Sequence, residues 1–98
     1  MYDAIYGRQS IHKKDSISIE SQINQCLPFV KGDHKVYKDA GYSGSSTDRP
    51  DFKRMISDVK AGKIRAVICY RLDRISRSLS DFSKLIELFE EYNVQFIS

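Results

Sequence analysis

The stretch RAVICY, residues 65–70, is the strongest indication of fold class in this chain. Its five residues from Ala66 to Tyr70 are all compatible with an apolar environment. A short apolar run of this kind indicates a strand that is buried on both faces. Such strands occur in parallel sheets that helices cover on either side. We therefore predict a strand over residues 65–70 within an α/β fold.

The rest of the chain alternates between strand and helix patterns. Three further strands are predicted at residues 2–7 (ending near Arg8), 34–40 and 94–98. Helices are predicted over residues 18–30 and 49–62, and a third is predicted to begin at Ser78. Strands that alternate with helices favour a mainly parallel sheet with right-handed crossovers and helices on both faces. This architecture is the fold-class prediction.

Two of the predicted helices carry clear start and stop signals. The first has Ser16 or Ser18 available as N-cap, and Pro28 is expected to kink it or end it early. Its apolar face is predicted to consist of Ile19, Ile23, Cys26, Leu27 and Val30. The second has Pro50 in its first turn and Gly62 at its C-terminal end. Its apolar face is predicted to consist of Phe52, Met55, Ile56 and Val59.

Composition indicates a single globular domain. The 98 residues are 41% hydrophobic and 30% charged, and their net charge of +3 is only a weak sign of an anionic partner. No apolar stretch is long enough to cross a bilayer and no signal-peptide pattern opens the chain, so a cytoplasmic protein without a membrane partner is expected. Cys26 and Cys69 lie in apolar patterns and are interpreted as reduced core residues.

Arginine follows each of the first three predicted strands. The polar residues at the carboxyl ends of these strands are Arg8, Gln9 and Ser10 for the first strand, Asp39, Asp48 and Arg49 for the second, and Arg71, Asp73, Arg74 and Arg77 for the third. Ligands of open parallel sheets bind beyond the carboxyl ends of the strands, so these residues are predicted to converge. Guanidinium groups match phosphate oxygens bidentately and stabilise the charge of a phosphoryl transition state. A solvated basic helix start, paired with Asp73 and Asp81, is the alternative for Arg74 and Arg77.

Four blocks of the sequence resemble one protein family. They are YGRQS at residues 6–10, SIESQ at 18–22, DAGYSGSSTDRP at 39–50 and YRLDRISRS at 70–78. In this order they are similar to the signature blocks of the serine recombinase catalytic domain. That family comprises resolvases, invertases and large serine integrases. The Tyr-Ser-Gly loop closing in Arg-Pro looks more like the large serine recombinases of phages and mobile elements than the small resolvases.

The resemblance implies an activity and a set of site residues. Members cleave and rejoin duplex DNA through a 5′-phosphoserine intermediate, with no metal, nucleotide cofactor or small-molecule substrate. By resemblance, Ser10 is the nucleophile. The remaining matches are the phosphate-binding arginines Arg8, Arg49, Arg74 and Arg77, the acidic residues Asp39 and Asp73, and the active-site glutamine Gln22.

The resemblance also sets expectations about the whole protein. Residues 1–98 are expected to be a truncated N-terminal catalytic domain, without the interface helix and DNA-recognition domains of the family, and to be inactive alone. The full-length protein is expected to form dimers and tetramers on DNA. Two alternatives stay open, namely a non-catalytic DNA- or phosphate-binding α/β domain and a flavodoxin-like signalling domain. A covalent protein–DNA species distinguishes the enzyme from the first alternative, and weak DNA affinity that does not depend on salt would favour the second.

Overall fold

The computed structural model describes residues 1–9, 18–40, 49–70 and 79–98. The strands in these residues are β1 (Tyr2–Gln9), β2 (His34–Ala40), β3 (Ile64–Cys69) and β4 (Gln95–Ile97). The helices are α1 (Ile19–Cys26), α2 (Pro50–Lys60) and α3 (Leu79–Glu91). The predicted alternation of strands and helices is confirmed. Ser78, the predicted start of the third helix, lies outside the described residues.

The described strands form one parallel sheet in the order β2-β1-β3-β4. From β1 the chain passes outward to β2, and then crosses back to β3 on the other side of β1. The direction of strand addition therefore reverses between β1 and β3. In open α/β sheets such a reversal opens a crevice beyond the carboxyl ends of the two strands, where ligands bind.

Helices cover both faces of the sheet, as predicted. On one face, α2 and α3 pack on a core whose fully buried members include Tyr6, Tyr37, Met55, Val67 and Phe89. On the other face, Cys26 of α1 packs with Ile5 of β1 and Ile68 of β3. Central strands β1 and β3 are thus buried from both sides, which explains the uninterrupted apolar run of β3. No helix within the described ranges is long and apolar enough to cross a membrane.

Helix α1 begins at the predicted cap and ends early, before Pro28. The Ser18 hydroxyl accepts a hydrogen bond from the Ser21 amide at 3.1 Å, and a short 3₁₀ turn over Leu27–Phe29 follows the helix. Since the turn changes the helical period, Leu27 leaves the predicted apolar face and is 39% exposed. The prediction that Leu27 belongs to the apolar face of this helix was therefore wrong, and the early end at Pro28 is confirmed.

Helix α2 begins and ends where its sequence predicts. Pro50 is its first residue, where a missing backbone N–H costs nothing. Gly62 follows the C-cap with φ of +76°, a left-handed conformation that glycine adopts without strain. Met55 and Val59 are fully buried, and Phe52 and Ile56 pack beside them. These signals set the position of the helix N-terminus at the carboxyl end of β2.

An ion pair between the buried Asp3 and the partly exposed Arg65 holds the opposite, amino-terminal end of the sheet. The Arg65 guanidinium lies 2.7 Å from Asp3 Oδ1 and donates to Asp3 Oδ2 at 2.9 Å, and the Lys31 amide donates to the same carboxylate. The register of β3 shifts between its partners Tyr2 and Asp3, which leaves Arg65 as the extra residue of a bulge. Burial raises the pKa of Asp3, but these hydrogen bonds and the Arg65 charge outweigh it and lower the pKa overall.

Strand β1 and helix α1 approach each other closely at Gly7. A Cβ atom added there lies 3.1 Å from Ile19 Cγ2 and 3.6 Å from Gln22 Oε1. The first contact is shorter than ordinary van der Waals packing, and Ile19 is itself buried with 8% exposure. Any side chain at Gly7 therefore pushes α1 away from the strand that leads to Ser10.

We expect Gly7→Ala to lower the free energy of unfolding of the 98-residue chain by about 1–3 kcal/mol, the usual cost of overpacking. Urea denaturation measures it as a lower midpoint with an unchanged slope. The double variant Gly7→Ala/Ile19→Ala removes the clashing methyl group. Its loss of stability should therefore be smaller than the sum of the losses in the two single variants. Fully additive costs contradict the proposed clash.

Candidate active site at the carboxyl ends of the strands

The structure brings four of the predicted site residues to the carboxyl half of the sheet. Arg8 on β1 and Asp39 on β2 are direct partners across the two strands. Gln22 on α1 bonds to the Arg8 backbone, and Arg49 directly precedes α2. The other predicted site residues, which are Ser10, Asp73, Arg74 and Arg77, lie outside the described residues.

The strands that precede these remaining residues are immediate neighbours. β1 ends at Gln9, one residue before Ser10, and β3 ends at Cys69, ahead of the arginine-rich residues 71–78. β1 and β3 pair in parallel, with Tyr6 opposite Cys69. The segments that carry Ser10 and the arginines therefore leave adjacent strands at the same end, beside the topological reversal.

Asp39 is a buried carboxylate that caps helix α2. Its Oδ1 accepts from the Asp51 amide at 3.0 Å, and its Oδ2 accepts from the Phe52 amide at 3.0 Å. The residue at the N-cap position, Arg49, makes no side-chain capping bond, so a strand residue replaces the usual local cap. A carboxylate at a helix N-terminus also interacts favourably with the helix dipole. Asp39 thus attaches α2, and with it Arg49, to the end of β2.

Tyr6 completes the bonding of Asp39 and was not singled out from the sequence. It is fully buried, and its hydroxyl donates to Asp39 Oδ2 at 2.8 Å. Burial and this hydrogen bond raise the pKa of Tyr6, whereas the charges of Arg49 and Arg8 act in the opposite direction. Both guanidinium groups therefore exert their charge on the same buried hydroxyl. The only sequence signal for Tyr6 was its place in the YGRQS block.

Gln22 binds the backbone of Arg8 as a neighbouring strand would. Its Oε1 accepts from the Arg8 amide at 3.3 Å, and its Nε2 donates to the Arg8 carbonyl at 3.0 Å. Gln22 is fully buried, so both bonds are shielded from water. This pair of bonds fixes the strand at Arg8, where the chain leaves β1 towards Ser10. The geometry gives Gln22 a positioning role.

We expect Gln22→Leu to lower the free energy of unfolding by about 1–3 kcal/mol, because it removes the two buried hydrogen bonds that Gln22 makes to the Arg8 backbone. Gln22→Glu retains the acceptor but places an oxygen against the Arg8 carbonyl, and it should be destabilising too. Gln25→Ala is the matched control, since Gln25 is an exposed amide on the same helix; we expect a change within about 0.5 kcal/mol. Equal stabilities of the Gln22 and Gln25 variants in urea denaturation contradict this role.

The Arg49 guanidinium lies over an aromatic ring of α2. Its guanidinium carbon lies 4.3 Å from the centroid of the Phe52 ring, within cation–π distance. The Phe52 ring in turn meets the Tyr6 ring edge-on, with centroids 5.4 Å apart. Arg49, Phe52, Tyr6 and Asp39 therefore form one connected group on the α2 side of the sheet.

The cysteines have the core positions predicted for them. Cys26 and Cys69 are both free and buried, and burial raises the pKa of the Cys26 thiol to about 11. A thiol with such a pKa is a poor nucleophile near neutral pH. Within residues 1–9, 18–40, 49–70 and 79–98, no group of three or more His, Cys, Asp or Glu side chains is arranged to hold a metal ion.

Comparison with known proteins identifies relatives of nearly the whole chain. The profile of the family described as "Resolvase, N terminal domain" matches residues 4–98. A "Putative DNA recombinase" of Bacillus subtilis (strain 168) is 35% identical over 97 residues, which is 96% of this chain and 19% of that protein. The "Transposon Tn917 resolvase" of Enterococcus faecalis is 46% identical over 56 residues, or 57% of this chain and 29% of the resolvase.

A solved structure shares both fold and sequence with this chain. The N-terminal catalytic domain of TP901-1 integrase superposes with a TM-score of 0.82 at 34% identity, covering 97% of this chain and 74% of that one. The resolvase-like fold predicted from the sequence is thereby confirmed. The chain spans less than a third of the length of the Bacillus and Enterococcus relatives.

Proposed function

This chain belongs to the resolvase family, whose N-terminal domain it matches, and we propose that it cleaves and rejoins duplex DNA as the catalytic domain of a site-specific recombinase. The observation that carries the proposal is the pairing of β1 with β3. It makes Ser10 and the arginines of residues 71–78 follow neighbouring strands at the same edge of the sheet. A nucleophile and several guanidinium groups beyond one edge are what phosphoryl transfer requires.

The proposed reaction is two successive transesterifications. The Ser10 hydroxyl loses its proton and attacks the scissile phosphorus, a bond to the DNA 5′-phosphate forms, and the O3′–P bond breaks. The departing O3′ takes up a proton and becomes a free hydroxyl. After strand exchange, a 3′-hydroxyl attacks the phosphoserine, restores a phosphodiester and returns the proton to Ser10. Because the covalent bond retains the phosphodiester, no cofactor is needed.

The remaining predicted residues divide into two roles. Arg8, Arg49, Arg74 and Arg77 are proposed to bind the phosphate oxygens and stabilise charge in the transition state, with Asp73 beside them to orient guanidinium groups or to handle protons. Support comes from Arg8, which is the partner of Asp39 across β1 and β2, and from Arg49, which directly precedes α2 at the same end of the sheet. Asp39 and Gln22 are proposed to act by position, because their hydrogen bonds reach the backbone of α2 and β1.

The implied partners follow from this chemistry. We propose that duplex DNA is the substrate, that the protein works in the cytoplasm where DNA is accessible, and that exchange requires dimers and tetramers of the full-length protein, since two duplexes must be cut and rejoined. The names of the relatives, which are a DNA recombinase, a transposon resolvase and an integrase, support the substrate class.

The decisive experiment captures the covalent intermediate. The full-length protein that contains this chain is incubated with a duplex nicked near the cleavage site, so that a short strand diffuses away and religation stops. We expect a denaturation-resistant adduct, and mass spectrometry of its peptides should place the 5′-phosphate on Ser10. DNA binding without any adduct would instead support the non-catalytic phosphate-binding alternative.

A further inference from the structure

The contact between Arg49 and Phe52 suggests a role for a residue that carries no chemistry of its own. The guanidinium lies over the ring at 4.3 Å. Phe52 lies in the first turn of α2 and is only partly buried. A ring at this position is more than core filling, because one of its faces is occupied by a cation.

The Phe52 ring is held in place from two directions. Its backbone amide donates to Asp39 Oδ2 at 3.0 Å, which ties the start of α2 to β2. Its ring packs edge-on against Tyr6, whose centroid is 5.4 Å away. Tyr6 is itself held by its hydrogen bond to Asp39. The ring face beneath Arg49 is therefore fixed to the two strands that lead to the candidate site.

Stacking suits an arginine that must present an anion-binding fork. Where a guanidinium lies flat on a ring, its N–H donors point outward in its own plane. A stacked arginine therefore keeps the edge with which it binds phosphate bidentately. It also loses rotamer freedom before the substrate arrives, which lowers the entropic cost of forming the transition-state contact.

We propose that Phe52 is a positioning residue for the Arg49 guanidinium, a role that rests on the recombinase function proposed above. The ring holds the Arg49 charge at the carboxyl end of β2, and the contacts with Tyr6 and Asp39 hold the ring itself in place. Leucine at this position keeps apolar bulk but has no π face, and tyrosine keeps the face. The two substitutions therefore separate positioning of Arg49 from filling of the core.

The test measures single-turnover cleavage of the nicked duplex by saturating full-length protein. We expect Phe52→Leu to slow cleavage by about 3- to 30-fold, because that is the ratio of rates to which the free energy of a cation–π contact corresponds. Phe52→Tyr should restore the rate. Ile56→Ala is the matched control, because Ile56 lies one turn along α2 and packs on the same core; its cleavage rate should stay at the wild-type level.

The double variant Arg49→Ala/Phe52→Leu shows whether the effect passes through Arg49. If it does, Phe52→Leu causes no further slowing once Arg49 is absent. The positioning role is overturned if Phe52→Leu slows cleavage equally with and without Arg49, or if Phe52→Leu cleaves at the wild-type rate. In either case the adduct itself still supports the recombinase function. A wild-type protein that forms no adduct refutes the function and the positioning role together.

A spectroscopic measurement gives a readout that does not depend on cleavage. In the full-length protein labelled at arginine, the side-chain protons of Arg49 should be shifted upfield by the ring current of Phe52. The shift should disappear in Phe52→Leu and remain in Phe52→Tyr and Ile56→Ala. Should Phe52→Leu fold poorly, the wild-type spectrum decides, because an unshifted Arg49 resonance contradicts the stacked geometry and overturns the proposal.

Discussion

Ser10→Ala should abolish the covalent protein–DNA adduct of the full-length protein, with a loss of cleavage of roughly 10⁴-fold or more, as for removal of other nucleophiles. The hydroxyl oxygen is the proposed attacking atom, so no later step proceeds without it. Affinity for DNA should change little, because the substitution removes no positive charge and phosphate contacts dominate binding. Adduct formation is measured on denaturing gels, and affinity by mobility shift at fixed salt.

Ser18→Ala provides the matched control for this substitution. Ser18 caps α1, and its hydroxyl accepts a hydrogen bond from the Ser21 amide. Removal of this hydroxyl should cost about 0.5–2 kcal/mol of stability. The adduct should still form in this variant. An adduct that persists in Ser10→Ala means that another residue is the nucleophile. Loss of DNA binding together with cleavage means that Ser10 acts on the fold.

Asp39→Ala should cause a large loss of stability, about 3–5 kcal/mol, because it removes the acceptor of one buried and two partly buried donors and removes a helix cap. The donors are the Tyr6 hydroxyl and the amides of Asp51 and Phe52. Asp39 is only 1% exposed, so water cannot replace the carboxylate. Urea denaturation of the 98-residue chain at neutral pH measures the loss.

Two related variants divide this effect. Asp39→Asn keeps one acceptor oxygen but places its NH₂ group against one of the donors that bind the carboxylate. The stability of this variant should therefore fall between those of the wild type and Asp39→Ala. Tyr6→Phe removes one hydrogen bond and keeps the ring, with an expected cost of about 1 kcal/mol. If Asp39→Ala is no less stable than Tyr6→Phe, the capping of α2 by Asp39 contributes nothing and its role lies elsewhere.

Local sequence patterns were sufficient to predict the fold. The apolar run of β3 and the start and stop signals of α2 reflect interactions between residues close in sequence, so they are visible without a structure. The exception is Leu27, which follows the helical period of α1 but points outward because Pro28 forces a 3₁₀ turn. A periodic pattern does not record where the backbone changes its period.

The sequence also determined which polar residues gather at one edge, because parallel strands align their carboxyl ends. Arg8, Gln22, Asp39 and Arg49 came from the strand-end argument and the family resemblance together. The family comparison confirmed that resemblance. Polar residues that follow buried strands are recognisable in sequence because charge is rare inside a core.

Only the tertiary structure decided what these residues do for one another. Gln22 bonds the backbone of Arg8, Asp39 caps α2 from a neighbouring strand, and Tyr6 joins Asp39 to the ring beneath Arg49. These partners are far apart in sequence, and their side chains meet because β2 pairs with β1 while α1 and α2 pack on opposite faces of the sheet. The physical reason is that a hydrogen bond depends on distance and angle within a few tenths of an ångström, and neither residue type nor spacing along the chain encodes that geometry.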